Sequence, residues 1–161
     1  MLFKVESYSK SKEENYFLLI KQLRSLLEGE TNQVANLSNA SALLNQFLDR
    51  INWVGFYILD DNGELVLGPF QGLPACVRIP LGKGVCGTAA ESMATIRVPD
   101  VHQFPGHIAC DAASRSEIVV PILKDGEVLG VLDIDSPELN RFDDTDEKML
   151  EEFVKVLSQY L

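Results

Sequence analysis

Apolar residues recur along this chain with two different periods, and the switches between them divide it into elements. Ser11-Lys12-Glu13-Glu14 has the S-x-x-E form of a capping box, and Phe17, Ile20, Leu23 and Leu27 follow at helical spacing. These predict a first helix that ends at Glu28-Gly29. Thr31 is the expected cap of a second helix, with Val34, Leu37, Leu44, Phe47 and Ile51 on one face. Trp53–Leu59 is then apolar throughout and rich in aromatic and β-branched residues. It is too short for a core helix and predicts a central strand buried on both faces. Alternation assigns Trp53, Gly55 and Tyr57 to one face, and Val54, Phe56 and Ile58 to the other. Asp60-Asp61-Asn62-Gly63 predicts a tight hairpin, because Asn-Gly accepts the positive φ such a turn demands, and residues 64–70 return antiparallel.

The periodicity then breaks. Gly72, Pro74, Pro80, Gly82, Gly84 and Gly87 crowd an irregular stretch in which Ile79 and Leu81 mark a short strand. A short helix is expected over residues 85–93 and an edge strand over 95–98. Residues 99–113 read as a long loop, a length more often functional than idle inside a compact domain. Residues 116–123 and 128–135 flank the turn Lys124-Asp125-Gly126-Glu127 as a second hairpin. Asp143 opens the last helix, with Asp146 three residues on and Met149, Leu150, Phe153, Leu157 and Tyr160 facing inward. Its acidic first turn suits the helix dipole. The order predicts an α+β fold, an antiparallel sheet flanked by helices, in a single domain over residues 1–161.

Composition adds limits. At 161 residues and 46% hydrophobic content, the chain can bury a core without metals or disulfides. Its formal charge of -10 repels phosphate backbones and anionic lipid, which argues against nucleic-acid or membrane partners. The same charge suits a small cationic or zwitterionic ligand. The N-terminus lacks a signal-peptide core, and no run is long and apolar enough to span a bilayer. An odd number of cysteines, three, fits a reducing cytoplasm better than a disulfide framework.

Those cysteines, Cys76, Cys86 and Cys110, all lie within residues 72–117, as do His102 and His107. Gly82-Lys83-Gly84-Val85-Cys86-Gly87 matches the dinucleotide fingerprint in letters only, since that fingerprint needs a strand-helix-strand unit in a parallel sheet and the neighbouring strands here pair as hairpins. No C-x-x-C knuckle supports zinc, so no metal is expected. Thiol redox chemistry fits better. Cys86 follows a Gly-rich turn at a helix start, where free N–H groups stabilise thiolate and lower the pKa, while Cys110 sits in the long loop beside Asp111. His102 and His107 are assigned to loop stabilisation, without a chemical role. Asp133-Ile134-Asp135 puts two carboxylates on one face of an apolar strand, with Glu117 at the start of its neighbour. Buried acids of this kind need a cation or hydrogen bonds. Trp53 and Tyr57 share a strand face, as core or as pocket wall.

The segments NWVGFY (52–57), GKGVCG (82–87), VPDV (98–101), FPGHIACDAASRSEIVVPI (104–122) and GVLDIDS (130–136) resemble the free methionine-(R)-sulfoxide reductases, which are single-domain GAF proteins, over nearly the whole chain. The resemblance implies reduction of free L-methionine (R)-sulfoxide through a cysteine sulfenic acid and an intramolecular disulfide. It implies no bound cofactor, with thioredoxin as the reductant. By position it makes Cys110 the nucleophile and Cys86 or Cys76 the resolving thiol, whereas the helix-start argument favours Cys86 as the attacking group. It also implies that Glu117, Asp133 and Asp135 polarise the sulfoxide and hold the substrate ammonium, and that Trp53 and Tyr57 shape the pocket. A homodimer is a candidate assembly, since GAF domains often pair. The rival readings are a non-catalytic GAF module that binds a small ligand, and a redox switch without a substrate.

Overall fold

The computed structural model describes residues 3–108 and 110–161. Met1 and Leu2 of the expected domain, and Ala109 of the expected loop, lie outside the described residues. Helix α1 (Lys12–Leu27) starts at Ser11, whose side chain accepts from the Glu14 N–H. Helix α2 (Gln33–Phe47) is capped by Asn32 rather than Thr31, through an Oδ1 contact to the Ala35 N–H of 2.9 Å. The inner faces are also rotated from the sequence expectation. Tyr16, Leu19, Ile20, Leu23 and Leu27 are buried on α1, while Phe17 and Val34 point to solvent. An i, i+3, i+4 set beginning at Tyr16 covers the sheet better than one beginning at Phe17, and aromatic content alone does not set the phase.

Strands β1 (Trp53–Leu59), β2 (Glu64–Gly72), β3 (Arg78–Pro80), β4 (Ile96–Val98), β5 (Ser116–Lys124) and β6 (Glu127–Ser136) form one antiparallel sheet in the order β3-β2-β1-β6-β5-β4. Helix α3 (Gly84–Ser92) and a 3-10 turn (Val101–Gln103) interrupt the irregular middle, and α4 (Asp144–Ser158) closes the chain. The result is a single α+β domain with a curled sheet flanked by helices. Among the described residues, no helix is long and apolar enough to cross a membrane.

The central strands are buried on both faces, and the two faces belong to different cores. Val54, Phe56, Ile118, Val120, Leu132 and Ile134 pack under α1, α2 and α4. The other face carries Trp53, Tyr57, Val119 and Val131 against Val85, Cys86, Ala89 and Ala90 of α3. The first core is all aliphatic and aromatic bulk. The second is thinner, and the charged residues of β5 and β6 emerge beneath it. Helix α4 is anchored by a capping box between Asp143 and Asp146, as the S/T/D-x-x-D/E spacing predicts. Asp146 is fully buried and also receives the Tyr16 hydroxyl at 2.5 Å, the Lys12 ammonium at 2.7 Å and the Arg141 guanidinium at 3.3 Å.

Candidate active site

Alternation sends Asp133 and Asp135 out of the same face of β6, and the sheet register supplies their neighbours. Asp135 stands opposite Trp53 on β1 and Glu117 on β5, and Asp133 stands opposite Gly55 and Val119. A rung Trp53–Asp135–Glu117 therefore crosses three strands on the face that carries α3. Glu117 and Asp133 are only 5% and 6% exposed, and Asp135 is half-buried. They line a small cavity of about 40 Å³ together with Trp53, Tyr57, Cys86, His107 and Cys110.

Burial pushes the Glu117 carboxyl well above the usual range, and Asp133 and Asp135 push it further. Asp135 is raised by burial and by Asp133. Asp133 is raised by burial as well, although hydrogen bonds from Glu117 and Cys86 and the nearby His107 hold it back. Burial and mutual repulsion of the three carboxyls in one confined space favour their protonated forms. One buried oxygen of Asp133 has no hydrogen-bond partner among the described residues.

The three cysteines separate into two roles. Cys76 and Cys110 form a disulfide with Cα atoms 5.9 Å apart, across 34 positions of sequence. Cys110 is exposed and Cys76 half-buried, whereas Cys86 is a free, buried thiol. Cys86 does occupy the third position of α3, as the sequence implied, but the expected low-pKa thiol is not found there. Burial first, then the charges of Asp133 and Glu117, raise its pKa well above the ordinary value. A helix dipole acts over one turn, and here desolvation and two acids outweigh it.

Two polar anchors on β1 hold the loop that carries Cys76. The Trp53 indole N–H donates to the Leu73 carbonyl at 3.1 Å, and the Tyr57 hydroxyl donates to the Cys76 carbonyl at 2.9 Å. Trp53 is itself stacked between Tyr57 and Phe70, with ring centroids 5.9 and 5.2 Å away. On the other side, the Asn52 amide donates to Asp111 at 2.9 Å and to Ser114 at 3.0 Å, tying down the segment next to Cys110. Sequence patterning marked Trp53 and Tyr57 but not Asn52, whose one legible signal is its place immediately before the strand.

His107 is a further omission. Its Nε2 lies 3.7 Å from Glu117, and it lines the cavity instead of merely bracing its loop. Burial and the neighbouring His102 lower its pKa, which favours the neutral ring, while Asp133 acts the other way. Its position three residues before Cys110 was the available clue. His102 is exposed and takes no part in the cavity lining. The Gly-rich run makes a turn, with positive φ at Gly82 and Gly84, and leads into α3 within an antiparallel sheet, which rules out the dinucleotide unit.

Donor atoms of Cys86, Glu117 and Asp133 lie within 4.8 Å of one another. A divalent cation held there would have to displace the protons that burial keeps on these groups. The set includes no histidine and neither cysteine of the disulfide, so it differs from the cysteine–histidine arrangement weighed on spacing. What the arrangement offers directly is a reducible disulfide, with Cys110 exposed and Cys76 half-buried, beside a cluster of carboxyls whose pKa values are raised.

Comparison with known proteins places this geometry. The GAF domain pattern matches residues 22–161. The free methionine-R-sulfoxide reductase of Escherichia coli (strain K12) is 53% identical over 151 residues, covering 94% of this chain and 91% of that protein. The reduced form of fRMsr of Staphylococcus aureus superposes with a TM-score of 0.89 at 58% identity, covering 98% of this chain and 99% of the other. The free methionine-R-sulfoxide reductase from Neisseria meningitidis, solved in complex with its substrate, gives a TM-score of 0.94 at 45% identity, over 99% of this chain and 95% of the other. With likeness of this extent in both sequence and fold, the chain belongs to the GAF domain family, among the free methionine-R-sulfoxide reductases.

Proposed function

We propose that the protein reduces free L-methionine (R)-sulfoxide to L-methionine, with Cys110 as nucleophile, Cys76 as resolving thiol and the buried carboxyls as proton donor and ammonium holder. The observation that carries this reading is the Cys76–Cys110 disulfide set against a cavity lined by Glu117, Asp133 and Asp135. Relatives named for this activity, one of them solved with its substrate, support it.

In the reduced protein the Cys110 thiolate attacks the sulfoxide sulfur while Glu117, protonated by virtue of its burial, gives its proton to the oxygen. The oxygen passes to Cys110 as a sulfenic acid and methionine leaves as the thioether. The cysteine sulfur is oxidised by two electrons as the sulfoxide sulfur is reduced. The Cys76 thiol then attacks the sulfenic sulfur, forms the S–S bond and releases water. A thioredoxin dithiol exchanges with that disulfide, leaves oxidised, and restores both thiols. The exposure of Cys110 suits a protein reductant, which needs a reachable sulfur. Asp133 and Asp135 hold the substrate ammonium, and Trp53 and Tyr57 enclose the methyl and sulfur. With the disulfide closed, the cavity of about 40 Å³ has room for a few waters.

The test is NADPH oxidation coupled through thioredoxin, with the separate R and S sulfoxides of free methionine. Wild-type protein is expected to turn over the R form. Cys110→Ser should be inactive. Cys76→Ser should release about one methionine per enzyme and stop at a sulfenic acid that dimedone traps. Cys86→Ser should still form the disulfide. Failure of the reduced wild-type protein to consume the R form would remove the proposal, and full activity in Cys110→Ser would move the nucleophile.

A further inference from the structure

One buried sulfur is left over from the reaction. Cys86 stays a thiol while Cys76 and Cys110 pair, yet it lines the same cavity as the acids. Its Sγ and one carboxylate oxygen each from Glu117 and Asp133 lie within 4.8 Å of one another. We propose that these three side chains form a binding site for a zinc-class divalent cation, and that its occupation inhibits sulfoxide reduction. The inhibition rests on the reductase reading given above; the binding does not.

The donors stand on three packed elements. Cys86 is the third residue of α3, and Gly87 lets that helix press on the turn before it, since an added Cβ would lie 2.4 Å from the Pro80 carbonyl oxygen. Glu117 and Asp133 leave adjacent strands, β5 and β6, whose antiparallel pairing fixes their offset. The Cys86 thiol is hydrogen-bonded to Asp133, so its sulfur faces the carboxyls. Asp133 is only 6% exposed, and one of its side-chain oxygens is buried with no hydrogen-bond partner among the described residues. An unmatched acceptor of this kind in a cavity wall is what a cation satisfies.

The chemistry of the set selects the ion. Magnesium and calcium take about six to eight oxygen ligands, whereas one sulfur and two carboxylates suit zinc, with its fourth position open. Zinc holds sulfur at about 2.3 Å and oxygen at about 2.0–2.2 Å, so the three side chains have only to close on a common centre. As the Zn–S and Zn–O bonds form, the thiol proton and any carboxyl protons leave to solvent, and no atom changes oxidation state. A net charge of -10, with Asp111 and Asp135 also in the cavity wall, draws cations towards the site. The metal takes up Glu117, the proton donor, and Asp133, a holder of the ammonium, so zinc and the sulfoxide exclude each other.

The experiment uses the oxidised protein, in which the disulfide leaves Cys86 as the single thiol. Titration with cobalt(II), a spectroscopic stand-in for zinc, should give a thiolate-to-cobalt charge-transfer band that saturates at one equivalent and that zinc abolishes. Zinc should also raise the thermal midpoint, as a ligand of the folded state does. Cys86→Ser should lose the band, and Asp133→Asn should weaken zinc by more than about tenfold, the least that even outer partners of a metal are worth. No thiolate band in the oxidised wild type would overturn the site, as would an unchanged zinc affinity in both variants. For the inhibition, methionine release is followed in a single turnover of pre-reduced protein. With zinc at about ten times its dissociation constant, half-maximal release should need about tenfold more sulfoxide, at the same maximal rate. An equal shift in Cys86→Ser would place the zinc on the other two cysteines and overturn the inhibition. Absence of turnover in zinc-free wild type would overturn the reductase reading and the inhibition with it, while a Cys86-dependent cobalt band would still establish the metal site.

Discussion

At the scale of single residues, the site depends on environment more than on residue type. Cys86 and Cys110 are the same side chain, yet one is buried against two acids with its thiol pKa raised, and the other is exposed and disulfide-bonded. Glu117 shows the cost of such an environment. Burial and its acidic neighbours lift its pKa above 4.5, so the folded protein retains a proton that the unfolded chain releases. The stability tied to that proton is present at acid pH and declines as pH rises through and beyond the ordinary carboxyl range. Glu117→Gln removes the penalty. We expect it to lower turnover, and to raise the thermal midpoint at pH 7 with a gain of up to about 2 kcal/mol. The gap to wild type should shrink towards pH 4, and thermal melts at several pH values would read this. An equal or lower midpoint at pH 7 would contradict the picture of a strained acid cluster.

At the scale of elements, β1 and α4 do different work. β1 separates the two cores by strict alternation and positions the Cys76 loop through Trp53 and Tyr57, while Asn52, just before it, ties down the Cys110 side. Gly55 is necessary to that arrangement: an added methyl would collide with the Phe70 Cβ and come within 2.9 Å of the Trp53 ring. Gly55→Ala should cost about 1–3 kcal/mol in urea unfolding by overpacking, and should shift Trp53 fluorescence in the folded state. Helix α4 is held by its cap. Partial burial pushes the Asp143 carboxyl up, but the Asp146 N–H and the Lys12 ammonium outweigh it and hold the pKa down at about 2. A depressed carboxyl stabilises above its ordinary pKa near 3.8 and stops doing so as pH falls towards 2. Asp143→Ala is therefore expected to cost about 1 kcal/mol at pH 7 and progressively less below pH ~4. Chemical denaturation at both ends of that range decides it.

At the scale of the whole molecule, the disulfide joins segments on either side of α3 and β4. Closing a loop of 34 positions removes unfolded-chain entropy worth up to about 3–4 kcal/mol. The oxidised protein should melt above the reduced one, and Cys76→Ser should melt alike under both conditions. Identical midpoints for the two redox forms of wild type would mean that the bridge is offset by strain or by residual structure in the unfolded chain. The small cavity belongs to the same scale, because the loops that bound it meet only when the sheet is complete.

The sequence by itself determined the elements and the face on which the acids lie. Alternation along a strand is a property of the local backbone, so Trp53 with Tyr57, and Asp133 with Asp135, could be assigned to common faces without knowing what they meet. The Asn-Gly hairpin and the Asp143 cap were legible for the same reason. Only the tertiary structure decided which cysteines pair, that Cys86 is a buried neutral thiol, and that His107 reaches Glu117. These outcomes depend on which distant segments stack together and on how much water they exclude. Spacing along the chain encodes neither quantity, so the reactive-looking helix start lost its charge to burial, and the exposed loop beside it carries the oxidisable sulfur.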